Sequence, residues 1–170
     1  MNEDTARGSL KWLWVAAAVL VADQVTKAVV ERQFELYEVL RVWPVFDLTR
    51  LHNTGAAFSL LADASGWQRW FFITLGAGVS VGIVVWLRSL PARAPLILPL
   101  GLVLIMGGAL GNVVDRVRLG YVIDFLHFHW KGAYFPAFNV ADTAITIGAG
   151  LLILDAILEG RRGRRAEGGA

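Results

Sequence analysis

Long apolar runs, broken at regular intervals by short polar stretches, set the pattern of this chain. Four runs reach spanning length: Trp12–Val30, Trp70–Leu87, Leu96–Val114 and Val140–Leu158, each 18–19 residues long. About 20 apolar residues cross a hydrocarbon core as a helix. Backbone groups in lipid must be satisfied within the segment, so the runs are predicted helices rather than strands. The second run carries no charge before Arg88, and Pro99 falls in the first turns of the third, where a proline is tolerated. The predicted fold is a mainly α membrane protein, one integral membrane domain over residues 1–170.

Between the first two runs the pattern changes. VLRVWPVFDLTRLHN is rich in Val, Leu, Phe and Trp and partly alternates, which predicts a small β-like unit over residues 38–58, broken at Pro44. Asn53-Thr54-Gly55 is a turn signal. AAFSLLADASGWQRW then predicts a short amphipathic helix at the membrane interface, with Trp67 and Trp70 at headgroup level. Residues 160–170, GRRGRRAEGGA, have no apolar period and read as a disordered tail.

Four spans put both termini on one side. Arg7 and Lys11 precede the first run, Arg88 and Arg93 lie in the short second connection, and Arg161, Arg162, Arg164 and Arg165 lie in the tail. This density of positive charge places the termini in the cytoplasm and the two long connections outside.

Composition agrees with the pattern. The chain is 56% hydrophobic and 18% charged, against about 45–50% and 25% for soluble domains. A net charge of +2 gives no case for nucleic-acid binding, and the absence of Cys excludes thiol chemistry and disulfides. The first run continues into Asp23–Lys27 without a small-residue cleavage pattern, so it is read as a retained helix.

Candidate chemistry gathers between Gly107 and Asp142. Ionisable groups at membrane depth are costly and mark function by default. Asp124 follows the third run, and Asp142 opens the fourth with Asn139 three residues before it. If the connection folds back, the two carboxyls meet at the outer interface. Two carboxyls sharing a site do not both ionise easily, which supplies an acid and a base for water attack on an amide. A plainer reading stays open: Asp142 caps a helix and Asp124 is a solvated loop acid. Asp23 and Lys27 are spaced for an intrahelical ion pair. Asn112, Asp115 and Arg116 fall near the outer end of the third run, as polar glue or, for Arg116, paired with Asp115 to orient a ligand. Gly107, Gly108 and Gly111, and Gly76, Gly78 and Gly82, read as close helix contacts. His127 and His129 have too few companion ligands for a metal site. A small transporter or proton relay is the rival class, but it would place its acids near the midplane and often repeat its halves. No repeat is visible. A lipid-binding scaffold is a third class, and it would tolerate loss of either Asp.

The motifs also carry a resemblance. DQVTK (Asp23–Lys27), NTGAAF (Asn53–Phe58), GGALGNVVDR (Gly107–Arg116), VIDF (Val122–Phe125) and FNVAD (Phe138–Asp142) stand in order along nearly the whole chain. Together they resemble lipoprotein signal peptidase, also called signal peptidase II, a bacterial membrane aspartyl peptidase. The resemblance implies a diacylglyceryl-modified prolipoprotein as substrate, cut just before the lipidated cysteine, with membrane lipids as surroundings and no metal or organic cofactor. It implies Asp124 and Asp142 as the catalytic pair. Asn53, Gly55, Asn112, Arg116 and Asn139 would surround the substrate, and Asp23, Lys27 and Asp115 would be mainly structural. A monomer in the cytoplasmic (inner) membrane is expected, with the active site at the outer face.

Overall fold

A computed structural model describes residues 9–55, 66–91 and 95–167. After a 3-10 turn at Leu10–Trp12 come α1 (Leu13–Gln33), β1 (Val39–Trp43), β2 (Phe46–Asn53), α2 (Trp67–Ser89), α3 (Ile97–Arg118), β3 (Val122–Trp130), β4 (Ala133–Tyr134) and α4 (Val140–Glu167). Among the described residues four helices are long and apolar enough to cross a membrane. Exposed Val21, Val25, Val81, Val85 and Ile153 present the apolar outer surface that lipid requires.

The helices are longer than the apolar runs. α3 continues four residues beyond Val114 and carries Asp115 and Arg116 on helical backbone, so Asp124 is six residues past its end rather than ten. Hydropathy marks where lipid contact stops, whereas the helix continues for as long as its backbone bonds and buried partners hold it. α4 likewise runs to Glu167, through residues 160–167 that the sequence reads as disordered. Of the expected interfacial helix, residues 56–65 and of the basic second connection Arg93 lie outside the described residues, and Trp67 and Trp70 belong to α2.

α3 is the hub, packing on α1, α2 and α4. Glycine makes its approach to α4 possible. A Cβ on Gly108 would run into the Ala141 carbonyl oxygen, and one on Gly111 would lie 2.5 Å from Asp23 Oδ2. Gly76 lies against Val113, but Gly78 and Gly82 face open space, so those two are not the helix contact their spacing suggests. A core of Ala16, Ile83, Leu87, Leu102 and Val103 fills one half of the bundle.

At the end where α1 and α3 finish, and α2 and α4 begin, sits a four-stranded antiparallel sheet ordered β1-β2-β3-β4. β1 and β2 meet at the Pro44 turn, as the break in the sequence suggests. β3 was not foreseen as a strand. Its side chains Ile123 and Phe125 close a second core with Val30 of α1. β2 holds a bulge: Leu48 pairs with Leu126, but the next partner of Asp124 is Leu51. Arg50, in the bulge, donates from Nη1 to the carbonyls of Glu31 (3.2 Å) and Phe34 (3.0 Å), which closes the C-terminal end of α1.

Candidate active site

Asp124 is the third residue of β3 and Asp142 the third of α4. The strand leads back over the bundle end, and a short connection ending in Asn139 returns the chain to start α4. Asn139 is fully buried and joins the two acids. Its Nδ2 donates to Asp124 Oδ1 at 2.7 Å, while its Oδ1 accepts from the Asp142 backbone N–H at 2.9 Å and its own N–H donates to Asp142 Oδ2 at 3.3 Å. This is a reciprocal cap at the start of α4. Capping and pairing of the acids are thus one arrangement, not alternatives.

Asp124 Oδ2 accepts from Asn53 Nδ2 at 2.9 Å. Asn53 is held by its Oδ1, which accepts from the Gly55 N–H at 3.0 Å, a side-chain turn that a short amide or acid favours. Arg116 Nη2 donates to the Gly55 carbonyl at 2.8 Å, and its guanidinium lies 4.7 Å from the Phe72 ring centroid. It ties the 53–55 turn to α2 and α3. Arg116 does not pair with Asp115: adjacent helical residues point apart, and Asp115 faces α1.

Behind the acids lies a buried charged cluster. Lys27 Nζ is 2.8 Å from Asp23 Oδ2 and 2.8 Å from Asp115 Oδ2, and donates to Asn112 Oδ1 at 3.0 Å. Asp23 Oδ1 accepts from the Ala141 N–H at 2.9 Å, and Asp115 Oδ2 from the Ile123 N–H at 3.2 Å. The cluster therefore fixes the starts of both α4 and β3. Gln24 was missed by sequence reasoning. Its Nε2 donates to Asp115 Oδ1 at 2.8 Å and to the Gly111 carbonyl at 3.2 Å. The available signal was a third polar residue beside Asp23 and Lys27 inside an apolar run.

Burial first, then the charge of Asp142, pushes the Asp124 carboxyl up to about 7, against the opposing hydrogen bonds from Asn53 and Asn139 and the Lys27 charge. Asp124 is thus suited to hold a proton near neutrality.

A cavity of about 660 Å³ opens beside this site. Its polar end is formed by Asn53, Asn112, Arg116 and Asp142. Below them its walls are apolar, with Leu75 and Val79 from α2, Ile105 and Val113 from α3, and Ile145 from α4. α2 and α4 both pack on α3 but share no packed interface among the described residues. The cavity is therefore a groove floored by α3.

His127 and His129 share a sheet face. His129 Nε2 is 3.1 Å from Asp47 Oδ2, and both rings lie 5.3 Å from Tyr134. Among the described residues no three His, Asp or Glu side chains gather as a metal set.

The family model for signal peptidase (SPase) II matches residues 15–158. A lipoprotein signal peptidase of Shewanella pealeana is 49% identical over 159 residues, covering 94% of this chain and 93% of its own length. The chain belongs to the signal peptidase II family. A lipoprotein signal peptidase of Ectopseudomonas mendocina is 52% identical over 157 residues, covering 91% and 92% of the two chains. Two solved structures, each described as a bacterial membrane enzyme determined by the in meso method, share the fold. One has a TM-score of 0.78 at 30% identity, covering 88% of this chain and 89% of that one. The other has a TM-score of 0.74 at 31% identity, covering 86% and 92%. The chain is thus a multi-pass membrane protein of a peptidase family, and the transporter reading is not favoured.

Proposed function

We propose that this chain is an aspartic endopeptidase that cuts diacylglyceryl-modified prolipoproteins just before the lipidated cysteine, with Asp124 and Asp142 as the catalytic pair. The observation that carries the reading is the shared Asn139, which donates to the Asp124 carboxyl from its side chain and to the Asp142 carboxyl from its backbone N–H, where an apolar groove ends in polar groups. The relatives named lipoprotein signal peptidase supply the substrate class.

Asp142 acts as the base and Asp124 as the acid. A water between them loses a proton to Asp142 as its oxygen attacks the scissile carbonyl carbon, and Asp124 donates its proton to the carbonyl oxygen. The gem-diol then collapses: its C–N bond breaks, the amine leaves with a proton from Asp142, and Asp124 recovers its own. Asn53, Asn112 and Arg116 border the place where the carbonyl oxygen gains charge. Acyl chains in the lateral groove would hold the cysteine at the depth of the acids, so lipidation serves orientation as well as recruitment. The enzyme sits in the cytoplasmic (inner) membrane, with both termini in the cytoplasm and the sheet outside, an orientation that the Arg-rich short segments support.

The test is incubation of purified protein with a diacylglyceryl-modified precursor. The shortened product is expected, and Asp124→Asn and Asp142→Asn should each reduce its formation at least about 100-fold. Turnover retained by either folded variant would overturn the assignment.

A further inference from the structure

We infer that Lys27 is a positioning residue that acts through the Asn112 amide to aim a hydrogen-bond donor at Asp142, a role beyond holding the helices together. The inference rests on the assignment of Asp142 as base.

An ammonium has three donors and no acceptor. Two of those of Lys27 go to Asp23 and Asp115, and the third goes to Asn112 Oδ1 at 3.0 Å. An amide can face either way round, and its neighbours decide which. Lys27 can only donate, so the Asn112 oxygen must face it and the NH2 must face away. That NH2 is 2.8 Å from Asp142 Oδ1. The Asp142 oxygen is thereby made an acceptor, the state a base needs. Asn139 agrees from the other side, donating at 3.3 Å to the same Asn112 oxygen.

The chain of bonds is asymmetric. Asp124 receives only neutral amides that are not held by a cation in this way: Asn53 is set by the Gly55 N–H, and Asn139 by the Asp142 N–H. Other charges near Asp142 do not replace Lys27. Asp23 and Asp115 are themselves held by it, Arg116 is bonded to the Gly55 and Asn112 carbonyls, and Asp124 is the partner acid. Lys27 does not line the groove, whereas Asn112 and Asp142 do. Its loss should therefore leave substrate binding in place.

The test is a double-mutant cycle read in kcat and KM on the lipidated precursor. Lys27→Met and Asn112→Ala are each expected to lower kcat about 100-fold, with KM for Lys27→Met within about twofold of wild type. The double variant should be no slower than Asn112→Ala alone, because Lys27 has nothing left to aim. Losses that multiply in the double variant would overturn the inference, as would wild-type kcat in Lys27→Met. Lys27→Met leaves two buried carboxylates without their cation, so Asn112→Asp provides an independent arm. It keeps an acceptor for Lys27 but replaces the fixed donor on Asp142 with a second carboxyl, which must share a proton with it. A cooperative melt with kcat down about 100-fold is expected there, and unchanged kcat in the folded variant would overturn the inference. Activity retained by Asp142→Asn would instead refute the proposed function.

Discussion

Replacing Asp124 by Asn should silence the protein and make it resist alkaline pH better than the wild type. The structure sets the size of the effect. The folded Asp124 carboxyl is pushed up to about 7 from 3.8, first by burial and then by Asp142. The folded state therefore keeps a proton that the unfolded chain has already released. This contribution to stability is complete below pH 3.8 and is lost as the pH rises through 7. Between pH 5 and pH 8 the native group titrates while the unfolded one is charged throughout. About two units of titration at about 1.36 kcal/mol each come to about 3 kcal/mol. In a domain of this size that is roughly 5–10 °C in thermal midpoint. The assay compares midpoints of wild type and Asp124→Asn in one detergent at the two pH values. Groups that do not interact with Asp124 cancel in the difference. The wild type should lose about 5–10 °C more than the variant on going to pH 8. Parallel curves would refute the claim that the fold raises the proton affinity of Asp124.

Asp23→Ala should destabilise the protein by about 3–5 kcal/mol, because Lys27 and the Ala141 N–H each lose a buried partner. Asp23→Leu with Lys27→Leu should melt higher than either single change, and single variants that melt like wild type yet are inactive would make the pair's role chemical. Gly108→Ala forces a methyl onto the Ala141 carbonyl and within 2.8 Å of Ile145 Cγ1. It should move the start of α4, and with it Asp142, and lower kcat about 100-fold; wild-type kcat would show that α4 has room to give. In this Cys-free chain, Lys131→Cys should react with an impermeant thiol reagent from outside and Arg161→Cys only after permeabilisation, and the reverse would invert the proposed orientation.

The spans were legible because lipid imposes a single crude rule, and runs such as Trp70–Leu87 obey it without exception. The membrane-depth ionisable groups stood out for the same reason: Asp23, Lys27 and Asp142 are costly where they are. The partners were harder to see. Asp115 and Arg116 are neighbours in sequence yet serve different faces of α3, one toward Lys27 and the other toward Gly55. Nothing in composition separates them, and only the helix extended to Arg118 does. β3 was hidden because Val122–Phe125 is buried on both sides and so does not alternate. Its signal was the β-branched and aromatic run closed by Lys131-Gly132, where both residues take positive φ (48° and 85°) in a tight turn. The meeting of Asp124 and Asp142 rests on that turn back, which spacing alone does not give.

The extra residue in β2 acts as insulation. In an unbroken ladder running on from Leu48 and Leu126, Arg50 would stand opposite Asp124 and His52 opposite Val122. A guanidinium there would keep Asp124 charged and leave it no proton to give. The bulge puts Leu51 and Asn53 in those places and turns Arg50 round to the end of α1. One irregular residue thus sorts a strand that carries both a cation and an amide, sending Arg50 to the scaffold and Asn53 to the acid. A chain shortened by one residue at Thr49 could lie flat and still bring Asn53 to Asp124. The full-length strand ironed flat would quench its own acid.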